Sequence, residues 1–168
     1  MSRRSAPTRS GAPAPAASLL LAALFLGGMA TAIADGADDA TSPRTVIEAR
    51  RATLKKMGAA MKAIVEQLKT DAPDNGRMAT AAQFISSNAP QLAGWFPAGT
   101  GPESGADTDA LSYIWKERGK FDSLAERLVS ESKTLTTVLA AGDLAAIKTQ
   151  AKVLAETCSS CHHSFRAD

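Results

Sequence analysis

Five residues near the C-terminus, Cys158-Ser159-Ser160-Cys161-His162, limit the fold and chemistry of this 168-residue chain more than any other stretch. A Cys-x-x-Cys-His sequence is the signature of covalent c-type haem attachment. In a helix, residues i and i+3 share one face, so both thiols can reach the porphyrin edge and form thioethers with its vinyl groups. His162 follows directly and can bind the iron. The motif therefore predicts one haem c per chain, held by the last helix.

Three other uses of this cysteine pair have to be weighed: a structural disulfide, a redox-active pair and part of a zinc site. A structural zinc site needs four ligands, and His163 is the only further histidine in the chain. A redox-active pair normally opens a helix that follows a strand, and no alternation of strands and helices precedes Cys158. The surrounding sequence favours haem attachment.

Residues 1–34 are typical of a secretory signal peptide. Three arginines and no acids come first, followed by an apolar run from about residue 16 to residue 30 and a small-x-small site that ends at Ala34. Cleavage after Ala32 is the alternative. A membrane anchor would need ~20 apolar residues, and Gly27 and Gly28 weaken a shorter run. We therefore expect export to the periplasm, and no stable membrane insertion after cleavage.

Loss of the signal peptide changes the charge balance of the chain. The full sequence has 19 basic and 17 acidic residues, so removal of three arginines leaves 16 against 17, a net charge of −1. The basic character belongs mostly to the signal peptide, and nucleic acid is not expected as a partner. The remaining residues, 35–168, have the length of one domain. Both cysteines lie in the haem motif, so no structural disulfide is available.

Two amphipathic helices are predicted in the first half of this domain. Ser42 is a typical N-cap, and Pro43 is a typical first residue of a helix. Apolar side chains then recur at helical spacing until the helix ends near Thr70. The second helix follows the turn at residues 74–76, which also offers Asp74 as an N-cap, and Pro90 bends or ends the helix.

A loop rich in glycine and proline follows, from Gly94 to about Thr108, and Trp95 and Phe96 at its start are expected to close one end of the core.

Two further helices are predicted after this loop. The third begins at Thr108 or Asp109 and ends at Gly142, with Tyr113 and Trp115 in the core. Asp143 then caps the fourth helix, which carries the haem motif. No strand signal or repeat interrupts the pattern. Four amphipathic helices with mostly short connections predict an all-α fold, an antiparallel up-down four-helix bundle.

The predicted domain resembles the cytochrome c′ and cytochrome c-556 family, the class II c-type cytochromes, over nearly its whole length. Cytochrome c′ is itself a standard example of the four-helix bundle. In ordinary small cytochromes c the haem motif lies near the N-terminus, whereas here only six residues follow His162. The matching sequences are Arg50 with Leu54, residues 95–100 (WFPAGT), Ile114-Trp115, residues 141–144 (AGDL) and residues 158–166 (CSSCHHSFR).

The residue that faces the open side of the iron decides between the two kinds of protein in this family. The resemblance implies five-coordinate iron that binds nitric oxide or carbon monoxide in the cytochromes c′, and a methionine as sixth ligand in the c-556 type. It implies that Leu54 lies over the open face, where leucine cannot bind iron and makes a dry, crowded pocket. Met57 and Met61 lie one and two turns further on, and core packing is the usual role of methionine. If the helix were shifted against this alignment, Met57 would be the ligand; we favour five-coordinate iron.

The resemblance also implies roles for four charged residues near the haem. Arg50 would pair with a haem propionate; the alternative is a surface arginine whose stem lies along the helix. Arg51 would join it at the rim, and Asp109 would be a polar contact at the haem edge. Arg166 matches the basic residue beside the proximal histidine; the alternative is a cation that balances the helix dipole. His163 is expected at the surface.

Two functions remain as hypotheses: a periplasmic haem protein that binds small diatomic gases, and a low-spin electron carrier with an unidentified redox partner protein. No nucleophile–base pair and no paired carboxylates suggest an enzyme. The resemblance further implies a homodimer through the first two helices, and the small outward positions Ala59, Ala60 and Ala63 are compatible with one.

Overall fold

The computed structural model describes residues 41–167, so the predicted signal peptide, residues 1–34, lies outside the described residues. Its helices are α1 (Pro43–Gln67), α2 (Asn75–Asn88), α3 (Tyr113–Lys116), α4 (Arg118–Ala141) and α5 (Leu144–Phe165). Two short 3-10 helices, Ala89–Trp95 and Pro102–Ser104, lie between α2 and α3. The four long helices form an antiparallel up-down bundle, which confirms the predicted fold class.

The helix ends follow the capping chemistry that the sequence predicted. The Ser42 hydroxyl accepts a hydrogen bond from the Thr45 backbone N–H at 3.2 Å, and Pro43 is the first residue of α1. The Asp74 carboxylate caps α2 by accepting from the Arg77 backbone N–H at 3.0 Å. Pro90 ends the regular α-helix, and the chain continues as the 3-10 helix Ala89–Trp95.

The predicted start of the third helix was wrong. A single helical turn, α3, begins at Tyr113, and the long helix α4 begins only at Arg118, because Glu117 interrupts the chain with the non-helical angles φ −114° and ψ 46°. The preceding residues are held by α5 instead: the Leu111 N–H donates to the Phe165 carbonyl at 2.9 Å. Tyr113, expected in the core, is 52% exposed. Trp115 does pack against the core, and its indole N–H donates to a backbone carbonyl at 3.0 Å.

The core runs the length of the bundle and is closed at one end by aromatic rings. Phe96, Phe121 and Phe165 form a chain of edge-on contacts with ring centroids 5.0 and 5.4 Å apart, a geometry worth about 0.5–1.5 kcal/mol per pair beyond burial. Phe96 is buried and Trp95 packs partly buried against the core, as predicted. The rings anchor the end of α5 that carries the haem motif. None of the helices within residues 41–167 is long and apolar enough to cross a membrane.

The helices do not pack equally against one another. α4 packs closely against α5 and α2, and α1 packs against α2, whereas α1 and α5 have few contacts. In a regular four-helix bundle the first and last helices are neighbours. The boundary between them, here called the α1–α5 seam, is therefore the loosely packed side of the bundle.

Gly142 gives a test of the turn between α4 and α5. It has φ 75°, the left-handed conformation that ends a helix, and its N–H donates to the Val138 and Leu139 carbonyls. Gly142→Ala should lower the free energy of unfolding by about 1 kcal/mol in urea denaturation, since a Cβ is strained at this φ. Gly119→Ala is the control, because Gly119 lies in α4 at helical angles with open space around it. Equal stability of the two variants would contradict the expected strain.

Candidate functional site

The haem motif occupies the last turns of α5. Cys158 and Cys161 are free thiols, half-buried, and both pack against the hydrophobic core. Phe165, three residues after His162, is buried and fixes the end of the helix, whereas His162 and His163 are exposed. Surface exposure of His163 was predicted. The two sulfurs and the His162 imidazole thus lie on consecutive turns of one rigid helix.

The surroundings keep these three groups neutral. Burial raises the pKa of the Cys158 thiol, and burial followed by the neighbouring Cys158 raises the pKa of Cys161 to about 11. Partial loss of solvent against the bundle lowers the pKa of the His162 imidazole, and the nearby Arg166 guanidinium lowers it further. A neutral imidazole is the form that binds metals.

The loop before α3 clasps the C-terminal end of α5. Ala110 and Arg166 form an isolated antiparallel bridge, and the Ala167 N–H donates to the Asp109 carbonyl oxygen at 2.8 Å. The Asp109 carboxylate also forms an ion pair with the Arg166 guanidinium at 3.7 Å. Asp109 and Arg166 were predicted separately as haem contacts. The structure pairs them with each other at the end of α5, where Arg166 lies four residues after His162.

Arg50 is the one charged residue that is buried within residues 41–167. It is 3% exposed, so the alternative of a surface arginine was wrong. Its guanidinium donates to the Thr100 hydroxyl at 2.8 Å, the Thr100 carbonyl at 2.7 Å and the Thr108 hydroxyl at 2.8 Å, and it lies 4.5 Å from the centre of the Phe96 ring. Burial lowers the pKa of Arg50 and the adjacent Arg51 cation lowers it further, while Glu103 opposes the shift.

Arg51 lies next to Arg50 but is exposed and has a different partner. Its guanidinium forms a hydrogen-bonded ion pair with the Asp107 carboxylate and also donates to the Asp107 carbonyl at 2.8 Å. The hydrogen bond to Asp107, followed by its charge, raises the pKa of Arg51. Arg50 and Arg51 together therefore fasten the loop of residues 100–108 to α1.

Leu54 lies on the seam side of α1. It is half-buried against the core, about 120° around the helix from Ala60, which faces α2. Met57 is 7% exposed and belongs to the core, and Met61 is half-buried. On α5, Cys158 and His162 lie about 80° and 120° from Gln150, which hydrogen-bonds to α4. Leu54 on α1 and Cys158 on α5, both partly buried, thus lie on the seam sides of their helices.

These residues fit a covalently attached haem. Two neutral thiols three residues apart, with an imidazole directly after the second, form the donor set that c-type haem requires. Leu54, Cys158 and Cys161 are all partly buried against the core, on the two helices that border the loosely packed seam. Within residues 41–167 the two cysteines are free, no strand precedes the motif, and no group of three His, Cys, Asp or Glu side chains could hold a metal ion.

Comparison with known proteins agrees with this fit. A sequence model described as cytochrome C′ matches residues 45–166, from the start of α1 to the end of α5. The chain belongs to the cytochrome c′ family. The cofactor of this family is covalent haem c, as the motif predicted.

Relatives of both kinds occur in this family. The chain is 33% identical to cytochrome c′ of Rhodopseudomonas palustris over 133 residues, covering 79% of this chain and 88% of the relative. It is 31% identical to cytochrome c-556 of Agrobacterium tumefaciens, covering 71% and 95%. A solved cytochrome c′ with an unusual ligand-controlled dimer dissociation has the same fold, with a TM-score of 0.71, 26% identity and coverage of 76% of this chain and 98% of that one.

The sequence did not reveal how the charged residues are partnered. Thr100 and Thr108 hold Arg50, and Asp107 holds Arg51, yet none of the three was predicted in the site. Their only sequence signal is their place in the loop whose start matches the family. Contacts between residues about fifty positions apart have no periodicity from which they could be deduced.

Proposed function

We propose that this chain is a periplasmic haem protein of the cytochrome c′ type that binds small neutral gases such as nitric oxide or carbon monoxide, and that it is not an enzyme. Cys158 and Cys161 hold the haem through thioethers, and His162 is the protein ligand of the iron. When bound, the haem supplies one open coordination position. The proposal rests on the position of Leu54, which is half-buried on the seam side of α1.

Leu54 suits a gas-binding site because of what its side chain lacks. It has no lone pair, so it cannot act as a ligand, and it has no hydrogen-bond donor or acceptor to hold water. A branched apolar side chain above an open coordination position excludes water and leaves room only for a small neutral molecule. Selection by size and polarity is therefore built into this residue.

Arg50 supports a carboxylate of the haem as its further partner. A buried charge is costly unless it is paired, and the hydrogen-bond partners of Arg50 within residues 41–167 are the neutral oxygens of Thr100 and Thr108. Glu103 lies near Arg50 but accepts its hydrogen bond from the Gly101 N–H, so a haem propionate would supply a negative charge in direct contact with Arg50. We assign Arg51 to the rim of the same site, and Asp109 with Arg166 to the edge near His162.

A low-spin electron carrier of the c-556 type, with an unidentified redox partner protein, is the second candidate. Met57 lies one turn from Leu54, and a thioether there would be the sixth ligand after a modest shift of α1. The similarity to a cytochrome c-556 keeps this candidate open. Burial of Met57 among core side chains favours packing as its role, and hence the gas-binding function.

The absorption spectrum of the resting holoprotein tests the choice. We expect a high-spin spectrum and direct binding of carbon monoxide by the reduced protein. Leu54→Ala should speed carbon monoxide binding by tenfold or more, because it removes side-chain bulk over the open position. A barrier that is lower by about 1.4 kcal/mol makes the rate tenfold faster. Met57→Ala should leave the spectrum unchanged. A low-spin wild type that Met57→Ala converts to high spin would instead establish the electron carrier.

Residues 1–34 are proposed as the signal peptide and residues 35–168 as the mature domain. We also propose a homodimer, for which the groove between α1 and α2 is a suitable surface. Ala60, Ala81 and Phe84 line this groove, so two copies could approach closely over small and apolar side chains. The solved relative with a dimer controlled by ligand supports the same assembly.

A further inference from the structure

Gly58 is an exposed residue of α1, and no contact within residues 41–167 requires a glycine there. It lies in the middle of α1, where glycine costs about 1 kcal/mol relative to alanine. Its angles are those of an ordinary helix, since the positive-φ glycines within residues 41–167 are Gly99, Gly105 and Gly142. A Cβ built on Gly58 would meet no atom within 4 Å. Neither the backbone conformation at Gly58 nor contact with neighbouring protein atoms therefore requires a residue without a side chain.

The position of Gly58 on α1 points to the α1–α5 seam. It is four residues after Leu54, so it lies about 40° around the helix from that residue on the seam side. It lies about 160° from Ala60, which lines the groove between α1 and α2. A second copy that docks in that groove would therefore not reach Gly58.

We propose that Gly58 is the point at which the backbone of α1 contacts the haem, and that its missing side chain sets how deeply the haem lies in the seam. Glycine is the residue that allows a backbone to approach a ligand closely. A flexible side chain can change rotamer to avoid a Cβ, whereas a rigid, planar haem cannot. Gly58 is thus a positioning residue, distinct from Leu54, which covers the open face. The proposal rests on the haem site proposed above.

The test compares Gly58→Ala and Gly58→Leu with Gly119→Ala and Gly119→Leu in the purified holoprotein. Gly119 is the matched control, because it is also helical and also has no atom within 4 Å of a built Cβ. Thermal midpoint, absorption spectrum and oligomeric state are measured for each variant. Gly119→Ala should raise the midpoint slightly through helix propensity. Gly58→Ala should lower it by about 3 °C, and Gly58→Leu should lower it further and shift the haem bands.

Two results would overturn the proposal. One is a Gly58→Ala variant whose midpoint rises as in Gly119→Ala, with an unchanged spectrum in Gly58→Leu. The other is a Gly58→Leu variant that loses only its dimer, which would mean that a second copy covers Gly58. Haem stain on a denaturing gel separates these failures from failure of the haem site itself. If wild type stains for haem but the Gly58 variants do not change in midpoint or spectrum, only the contact at Gly58 is rejected. If wild type does not stain, the haem site itself is rejected.

Discussion

Replacement of both Cys158 and Cys161 by alanine should abolish covalent haem attachment. In the proposed attachment each thiol supplies one of the two thioethers, and the described residues contain no further cysteine. A haem held only by His162 and by burial separates from the chain when the protein is unfolded. Haem stain on a denaturing gel should therefore fall from full intensity to background in the double variant.

Single variants and a neighbouring serine complete this experiment. Cys158→Ala and Cys161→Ala should each keep one thioether and hence some stain. Ser159→Ala preserves the spacing of the motif at an exposed position and should stain like wild type. Persistent stain in the double variant would mean that the haem is joined elsewhere, and the assignment of the motif would be lost.

Arg50→Ala should be the most destabilising change among the charged residues. It removes three charge-assisted hydrogen bonds and the contact with the Phe96 ring, and it leaves the Thr100 carbonyl buried without its donor. Removal of one member of a buried charged network costs about 3 kcal/mol or more. Urea denaturation of the holoprotein should show this loss as a lower midpoint with a similar slope.

Arg51 is the natural control for this prediction, since it is the adjacent residue and also binds the loop. Its ion pair with Asp107 is exposed, and exposed pairs contribute little. Arg51→Ala should therefore shift the urea midpoint far less than Arg50→Ala. Arg50→Lys keeps the charge but lacks the planar guanidinium, so it should shift the urea midpoint by an intermediate amount. Equal effects of the two alanine variants would show that burial of Arg50 adds nothing.

The sequence predicted the parts of the fold that depend on local chemistry. Ser42, Asp74, Gly142 and Asp143 cap or end helices where their side chains and conformations indicated. The bundle followed from helical periodicity, and the haem followed from a motif confined to five residues. In each case the signal lies within a few positions along the chain.

The start of the third helix was missed because its cause is not local. The sequence around Asp109 permits a helix, but this stretch pairs with the end of α5 through Leu111 and Phe165, more than fifty residues apart. The burial of Arg50 is a similar case, since Thr100 and Thr108 reach it from the loop. Tertiary hydrogen bonds outweighed local preference in both places.

The loop of residues 100–111 acts as a tie between two helices that scarcely touch. One end is anchored to α1 through Arg50 and Arg51, and the other is anchored to α5 through Asp109 and Leu111. With little direct packing across the α1–α5 seam, the length of this tie governs the gap between the helices. An insertion or deletion in a surface loop is usually harmless, but here it would widen or narrow the seam in which we propose that the haem lies, without changing any residue that lines it.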